Sequence, residues 1–191
     1  MKNNADDMLN SYITDMLALE EHIDKAIVGQ MKDLDEEEPE FAAVLQQAHE
    51  VINSHILHLG LVAEARQISG GNKVAEGVKT VVSKVAGLGA AAIDFVRNEK
   101  LPKDIRDDNA AFRLAEVGYA MLHASSMVLD NDGELRELAL EHMRDYANLS
   151  TTLRELAAAA VLRYLEKEGH TVSESLLSRV LDEQRHELAA R

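Results

Sequence analysis

Apolar residues recur at steps of three and four along four long segments of this chain, and no segment reads as a strand. Such a sequence can bury its apolar surface only by packing helix on helix. Residues 7–34 line up Leu9, Ile13, Met16, Ile23, Ile27, Met31 and Leu34 on one face, which predicts a long amphipathic first helix. The acidic run DLDEEEPE at 33–40 interrupts it, and Pro39 suits the first turn of the next helix, where its missing N–H costs nothing. That second helix, about 40–66, carries Phe41, Leu45, Ala48, Ile52, Leu59 and Val62 and stops near SGGN, a glycine stop signal. The short turn between the two implies an antiparallel hairpin, about 7–66.

A third helix is predicted from about 108 to 129, after KLPKDIRDDN, and DNDG at 130–133 turns into a fourth, about 133–168. These form a second hairpin, about 108–168. EKEGH closes it at Gly169, and Thr171 with Glu174 has capping-box spacing for a short C-terminal helix, about 171–188. Between the hairpins, residues 67–107 read as a partly helical crossover with Val74, Val78, Val81, Val85, Leu88, Ala92 and Val96 on one face and Lys73, Lys79, Lys84 and Arg97 around it. The expected fold is therefore all-α, one domain over 1–191: a four-helix bundle whose long crossover makes helices two and three parallel.

Composition narrows the function. Thirty-four acidic residues against 20 basic give a net charge of −14, which repels phosphate backbones and argues against nucleic acid as a partner. With no cysteine, disulfides, iron–sulfur clusters and thiolate catalysis are excluded. No apolar run is long enough to span a bilayer, and MKNNADDMLN lacks a leader pattern, so a cytoplasmic location is expected. No nucleophile triad spacing or phosphate loop stands out, since SGGN lacks the strand such a loop needs.

The chemistry lies in polar residues on the core faces. Between Met16 and Ile23 the stripe of helix one lands on Glu20, and between Ile52 and Leu59 that of helix two lands on His55. On helix four His142 lies near the centre of the stripe of Leu135, Leu138, Leu149, Leu153 and Leu156, with Asp145 at its edge; on helix three the face of Phe112, Tyr119 and Ser126 also carries Glu116 and His123. Counted outward from the turns, with a rise of about 1.5 Å per residue, Glu20, His55, His123 and His142 fall within roughly one turn of the same height. Imidazole and carboxylate converging at one depth of a bundle can hold a divalent metal; equally, Glu20 and a histidine can satisfy one another in a buried hydrogen-bond network. The three histidines of LQQAHEVINSHILHL do not share a face: His55 points nearest the core, His49 lies on one flank and His58 on the other.

In helix order over about 7–167, and in the stretches LEEHIDKAI and LAEVGYAMLH, the chain resembles the ferritin-like superfamily and, more loosely, its bacterial stress-associated DUF892 (YciE/YciF-like) branch. The resemblance implies a ligand set of Glu from the first helix, Glu-x-x-His from the second, Glu from the third and Glu-x-x-His from the fourth. Glu20 matches the first. The second helix offers Ile52 to His55 or, in another register, Gln46 to His49, without the glutamate; the third offers Glu116, or Tyr119 in its place; the fourth has only His142 with Asp145, or Asp145 to Asn148.

Three functions follow as expectations. The favoured one is a ferritin-like protein with a stress-related binding role and an altered metal site, mononuclear or lost, without enzymatic activity. The second is a di-metal oxidase or iron-handling protein using iron or another divalent metal at Glu20, His55, Glu116, His123 and His142. The third is a membrane-surface or partner-binding module using the amphipathic helix at 73–97. Val44, Val51 and Leu57, beyond the narrow stripe of helix two, suggest self-association, and the resemblance implies a hairpin-to-hairpin dimer.

Overall fold

The computed structural model describes residues 2–34, 38–68, 100–129 and 133–189. They form five helices, α1 (Lys2–Asp33), α2 (Pro39–Ala65), α3 (Lys100–Leu129), α4 (Glu134–Lys167) and α5 (Glu174–Ala189), with no strand among them. Two antiparallel hairpins, α1–α2 and α3–α4, pack side by side, α1 against α3 and α2 against α4. The Lys100 ammonium donates to the Asp33 carbonyl at 3.0 Å, so α3 starts where α1 ends. At the same end Arg163 near the close of α4 donates to Glu38 at 3.0 Å and Glu40 at 2.6 Å at the start of α2. Consequently α2 and α3 run parallel, and Ala65 and Lys100 lie at opposite ends of the bundle.

The helices bury the predicted stripes, widened by neighbouring positions. On α1 these are Leu9, Ile13, Met16, Leu19, Ile23 and Ile27; on α2, Phe41, Val44, Leu45, Ala48, Ile52 and Leu59. On α3 and α4, Ile105, Phe112, Ala115, Tyr119 and Leu122 face Leu135, Ala139, Tyr146, Leu149 and Leu153. A fully buried leucine or isoleucine contributes about 1.5–3 kcal/mol by leaving water. At Gly118 a Cβ would lie 2.5 Å from Met16 Sδ, so the missing side chain lets α1 approach α3 closely.

Several boundaries differ from expectation for identifiable reasons. Helix three begins at Lys100 rather than 108, because Pro102 falls in the first turn, where proline is compatible with a helix. Residues 100–107 thus leave the expected crossover; 69–99, with the Val74 to Val96 face and the 73–97 segment, lie outside the described residues. The last helix starts at Glu174, which makes Glu174 its first helical residue and not the partner of a Thr171 cap. Val44 is buried and Val51 packs against the core, since the apolar face is broader than a narrow seam; of the three residues suggesting a dimer face only Leu57 is exposed. No described helix is long and apolar enough to cross a membrane.

Helix ends are closed by backbone geometry. At the end of α4, Gly169 (φ 91°) donates to the Glu166 carbonyl and His170 to the Leu165 carbonyl, a Schellman motif that turns the chain toward α5. Its Arg185 then reaches Glu155 of α4 at 2.9 Å. The same motif ends α2, Gln67 bonding Glu64 and Ile68 bonding Ala63, so the helix stops before the SGGN glycines. There the left-handed position is held by Gln67 (φ 54°), where a Cβ is strained. Gln67→Gly is expected to stabilise the protein by about 0.5–1 kcal/mol, read as a higher urea midpoint at unchanged slope.

One core carboxylate lacks a full set of partners. Asp108 is buried on α3; its Oδ1 accepts from Gln30 Nε2 at 2.8 Å, while its Oδ2 and Gln30 Oε1 are buried without donors. Burial pushes the Asp108 carboxyl up to about 7, against the lowering effect of the Gln30 bond and with smaller help from Asp104 and Asp107. A raised folded pKa means that the native state holds the extra proton between the two pKa values, so stability falls as pH rises from about 4 through about 7. Asp108→Asn removes that charge and supplies an N–H. It is expected to exceed the parent by roughly 2–4 kcal/mol at pH 8, the gap narrowing at pH 5. Urea unfolding at both values checks this; an equal gap would contradict it.

Candidate metal centre

At mid-height of the bundle each of the four long helices contributes a polar side chain to one buried point. Glu20 on α1 is completely buried. Its Oε1 accepts from the Tyr119 hydroxyl of α3 and faces His55 Nδ1 of α2 at 3.1 Å; its Oε2 accepts from the Tyr146 hydroxyl of α4. Burial, and then the charge of Glu20, push both phenols well above their ordinary range, which keeps them protonated donors. A buried carboxylate without such donors would be costly; here two phenol hydroxyls solvate it and the His55 imidazole lies beside them.

Two imidazoles extend the cluster toward the α2–α4 seam. The rings of His55 and His142 stack with centroids 3.7 Å apart at an interplanar angle of 18°. Their Nε2 atoms have outer partners: His55 Nε2 lies 3.2 Å from Asp145 Oδ2, and His142 Nε2 lies 3.3 Å from His58 Nδ1. Their Nδ1 atoms are directed differently, that of His55 toward Glu20, while that of His142 is buried without a hydrogen-bond partner. Burial first, then the neighbouring His55 and His58, lower His142 to about 2 and hold its ring neutral. When the His142 Nε2–H donates to His58, the unpartnered Nδ1 is a bare lone pair.

Glu20, His55 and His142 each offer one ligand atom, and the three atoms lie within 4.8 Å of one another, so the cluster can hold a metal ion. The fit has a chemical basis. Two imidazoles and one carboxylate suit a divalent transition metal, the His142 Nδ1 is buried with no hydrogen-bond partner, and Asp145 and His58 hold the outer edges of the two rings as outer hydrogen-bond partners do in metal sites. Glu116 and His123 stand apart from this group. Both are partly exposed, and Glu116 accepts from Arg113 at 2.6 Å. The buried line on α3 runs Phe112, Ala115, Tyr119, Leu122 and Ser126, and a residue one position beyond Ala115 or Leu122 is turned by about 100° toward the rim.

The three histidines of α2 separate as their helical positions require. His55 is in the core, His49 faces α1 with Nδ1 2.7 Å from Asp24 Oδ1, and His58 faces α4 beside His142. Tyr146 was not among the residues selected from the sequence. Steps of four and three from Leu135 pass through Ala139 and His142 to Tyr146, so the signal was present; a tyrosine on an apolar stripe simply reads as core.

No known protein family, curated protein or solved structure matches this chain. The class is therefore defined by the helices and side chains themselves: a chain whose described residues form helices alone, with a buried cluster of metal-competent ligands.

Glu20→Ala would leave two buried hydroxyls and an imidazole without their acceptor. The loss expected is about 3–5 kcal/mol, typical of breaking a buried charged network on one side, and measurable by chemical denaturation. A loss below about 1 kcal/mol would show that the network is not a structural tie.

Proposed function

We propose that this chain is a ferritin-like bundle protein that binds a single divalent transition metal, iron or another, through Glu20, His55 and His142, in the non-enzymatic and stress-related role that the resemblance implies. The observation that carries the reading is the cluster itself: Glu20, His55 and His142 each offer a ligand atom within 4.8 Å of the others, Asp145 and His58 lie on the outer edges of the two imidazoles, and the buried His142 Nδ1 has no hydrogen-bond partner. The parallel run of α2 and α3 and the position of the cluster at mid-bundle support the ferritin-like architecture. Once bound, the ion would supply a positive charge opposite Glu20, on which two phenols and an imidazole now converge.

A single ion is favoured because Tyr119 and Tyr146 occupy the positions on α3 and α4 from which further carboxylates would have to reach Glu20. A protonated phenol donates to a carboxylate and does not bridge two cations. Asp145 faces the outer edge of His55, and Glu116 pairs with Arg113, so neither adds to a second site beside Glu20. The di-metal oxidase reading lacks donors there.

Metal analysis of protein purified without chelator, or dialysed against Fe2+, Mn2+, Zn2+ or Co2+, is expected to show one ion per chain. His142→Ala should lower the affinity by at least about tenfold, the effect of removing one ligand or its orienting partner. Two irons per chain with oxygen consumption would favour the di-metal oxidase instead, and no uptake of any of the four ions would end the metal-binding reading.

A further inference from the structure

The buried centre raises the question of how an ion reaches it. Along the bundle axis the cluster is closed on one side by Ile27, Ala48, Phe112 and Leu149 and on the other by Ile13, Leu59, Leu122 and Ala139, all buried. A cation crossing such layers would lose its hydration with nothing in exchange. Between α1 and α3, Met16 presses on Gly118 and Tyr119 caps Glu20. The hairpin partners α1–α2 and α3–α4 are the most extensively packed pairs. The α2–α4 side is different. It is the most sparsely packed of the four sides among the described residues, and its polar groups run without a break from the surface to the cluster.

Asp145 is 37% exposed and touches His55; His58 is partly exposed and touches His142. Each inner ligand is thus paired with one outer side chain carrying a metal-competent atom. Opening this side means parting two polar contacts of 3.2 and 3.3 Å that touch the ligands directly and whose groups can turn to water or to an incoming ion, whereas the axial paths require separating close-packed apolar side chains.

We propose that Asp145 and His58 form a lateral portal in the α2–α4 seam, through which a divalent transition metal enters and leaves the Glu20–His55–His142 centre. Asp145 supplies the negative charge that draws the ion in, and His58 supplies an imidazole ligand at the mouth. This inference rests on the metal-binding reading of the centre. It adds a route and assigns two residues to exchange rather than to final coordination.

Cobalt(II) is the probe, followed by its visible absorption in stopped-flow mixing with the metal-free full-length chain and by release into excess EDTA. Asp145→Asn is expected to slow association about tenfold and to weaken its dependence on ionic strength, as loss of a steering charge does. His58→Leu, which plugs the mouth with an apolar side chain and also removes the outer partner of His142, is expected to slow association about tenfold with the one-ion stoichiometry unchanged. His49→Leu, on the opposite flank of α2, should leave both rates as in the parent. Unchanged rates in the Asp145 and His58 variants, or affinity lost through faster release alone, would overturn the portal while leaving the centre standing. A parent protein that takes up no cobalt would overturn both. Asp145→Asn is nearly isosteric and partly exposed, so it keeps the test open should His58→Leu fold poorly.

Discussion

Glu20 is the point at which all four long helices meet. Its two oxygens engage Tyr119 from α3, Tyr146 from α4 and His55 from α2. Apolar packing is tolerant of small rotations and slips, because many arrangements bury similar area. A buried carboxylate is not: it needs donors at defined positions, and each helix can supply its donor at only one register. The hydrophobic stripes hold the bundle together, while this network selects one alignment of the helices.

The same network defines the chemistry available at the centre. With carboxylates in place of the two phenols, Glu20 would sit among further anions and require cations to balance them. With the phenols, Glu20 is solvated by neutral donors, and the remaining ligand atoms lie on the imidazoles of His55 and His142. The two rings stack, each has an outer partner, and a ligand atom of each lies within 4.8 Å of one on Glu20. Burial first, and then the neighbouring His55 and His58 rings, keep His142 neutral. Away from the centre, Asp108 shows the other outcome for a buried carboxyl: with a single donor and no cation, it keeps its proton to higher pH.

Much of the site was legible in the chain. Glu20, His55 and His142 each interrupt an apolar stripe at a position where the 3.6-residue period points inward, and counting residues from the turns placed them at one height. Tyr119 and Tyr146 were harder to assign, because an aromatic ring on a core face is explained by packing alone, and the role of its hydroxyl depends on what lies across the interface. Glu116 and His123 illustrate the converse. Each lies one residue from a buried position, and whether the stripe advances by three or by four at that point depends on the neighbouring helices.

What the sequence determined by itself is the periodic placement of apolar residues, the turn and stop signals, and hence the all-helical character, the approximate limits of the long helices and the hairpin pairing. These are local, since they depend on residues within a turn or two of one another. What only the tertiary structure decided is which polar atoms meet: the tyrosine hydroxyls on Glu20, the partner on each edge of His55 and His142, and the exposure of Asp145 and His58 at the α2–α4 seam. Those contacts join residues up to 126 positions apart. Such pairings depend on the rotation and height of whole helices against one another, and a shift of one residue, about 100° of turn, would exchange a core ligand for a rim charge.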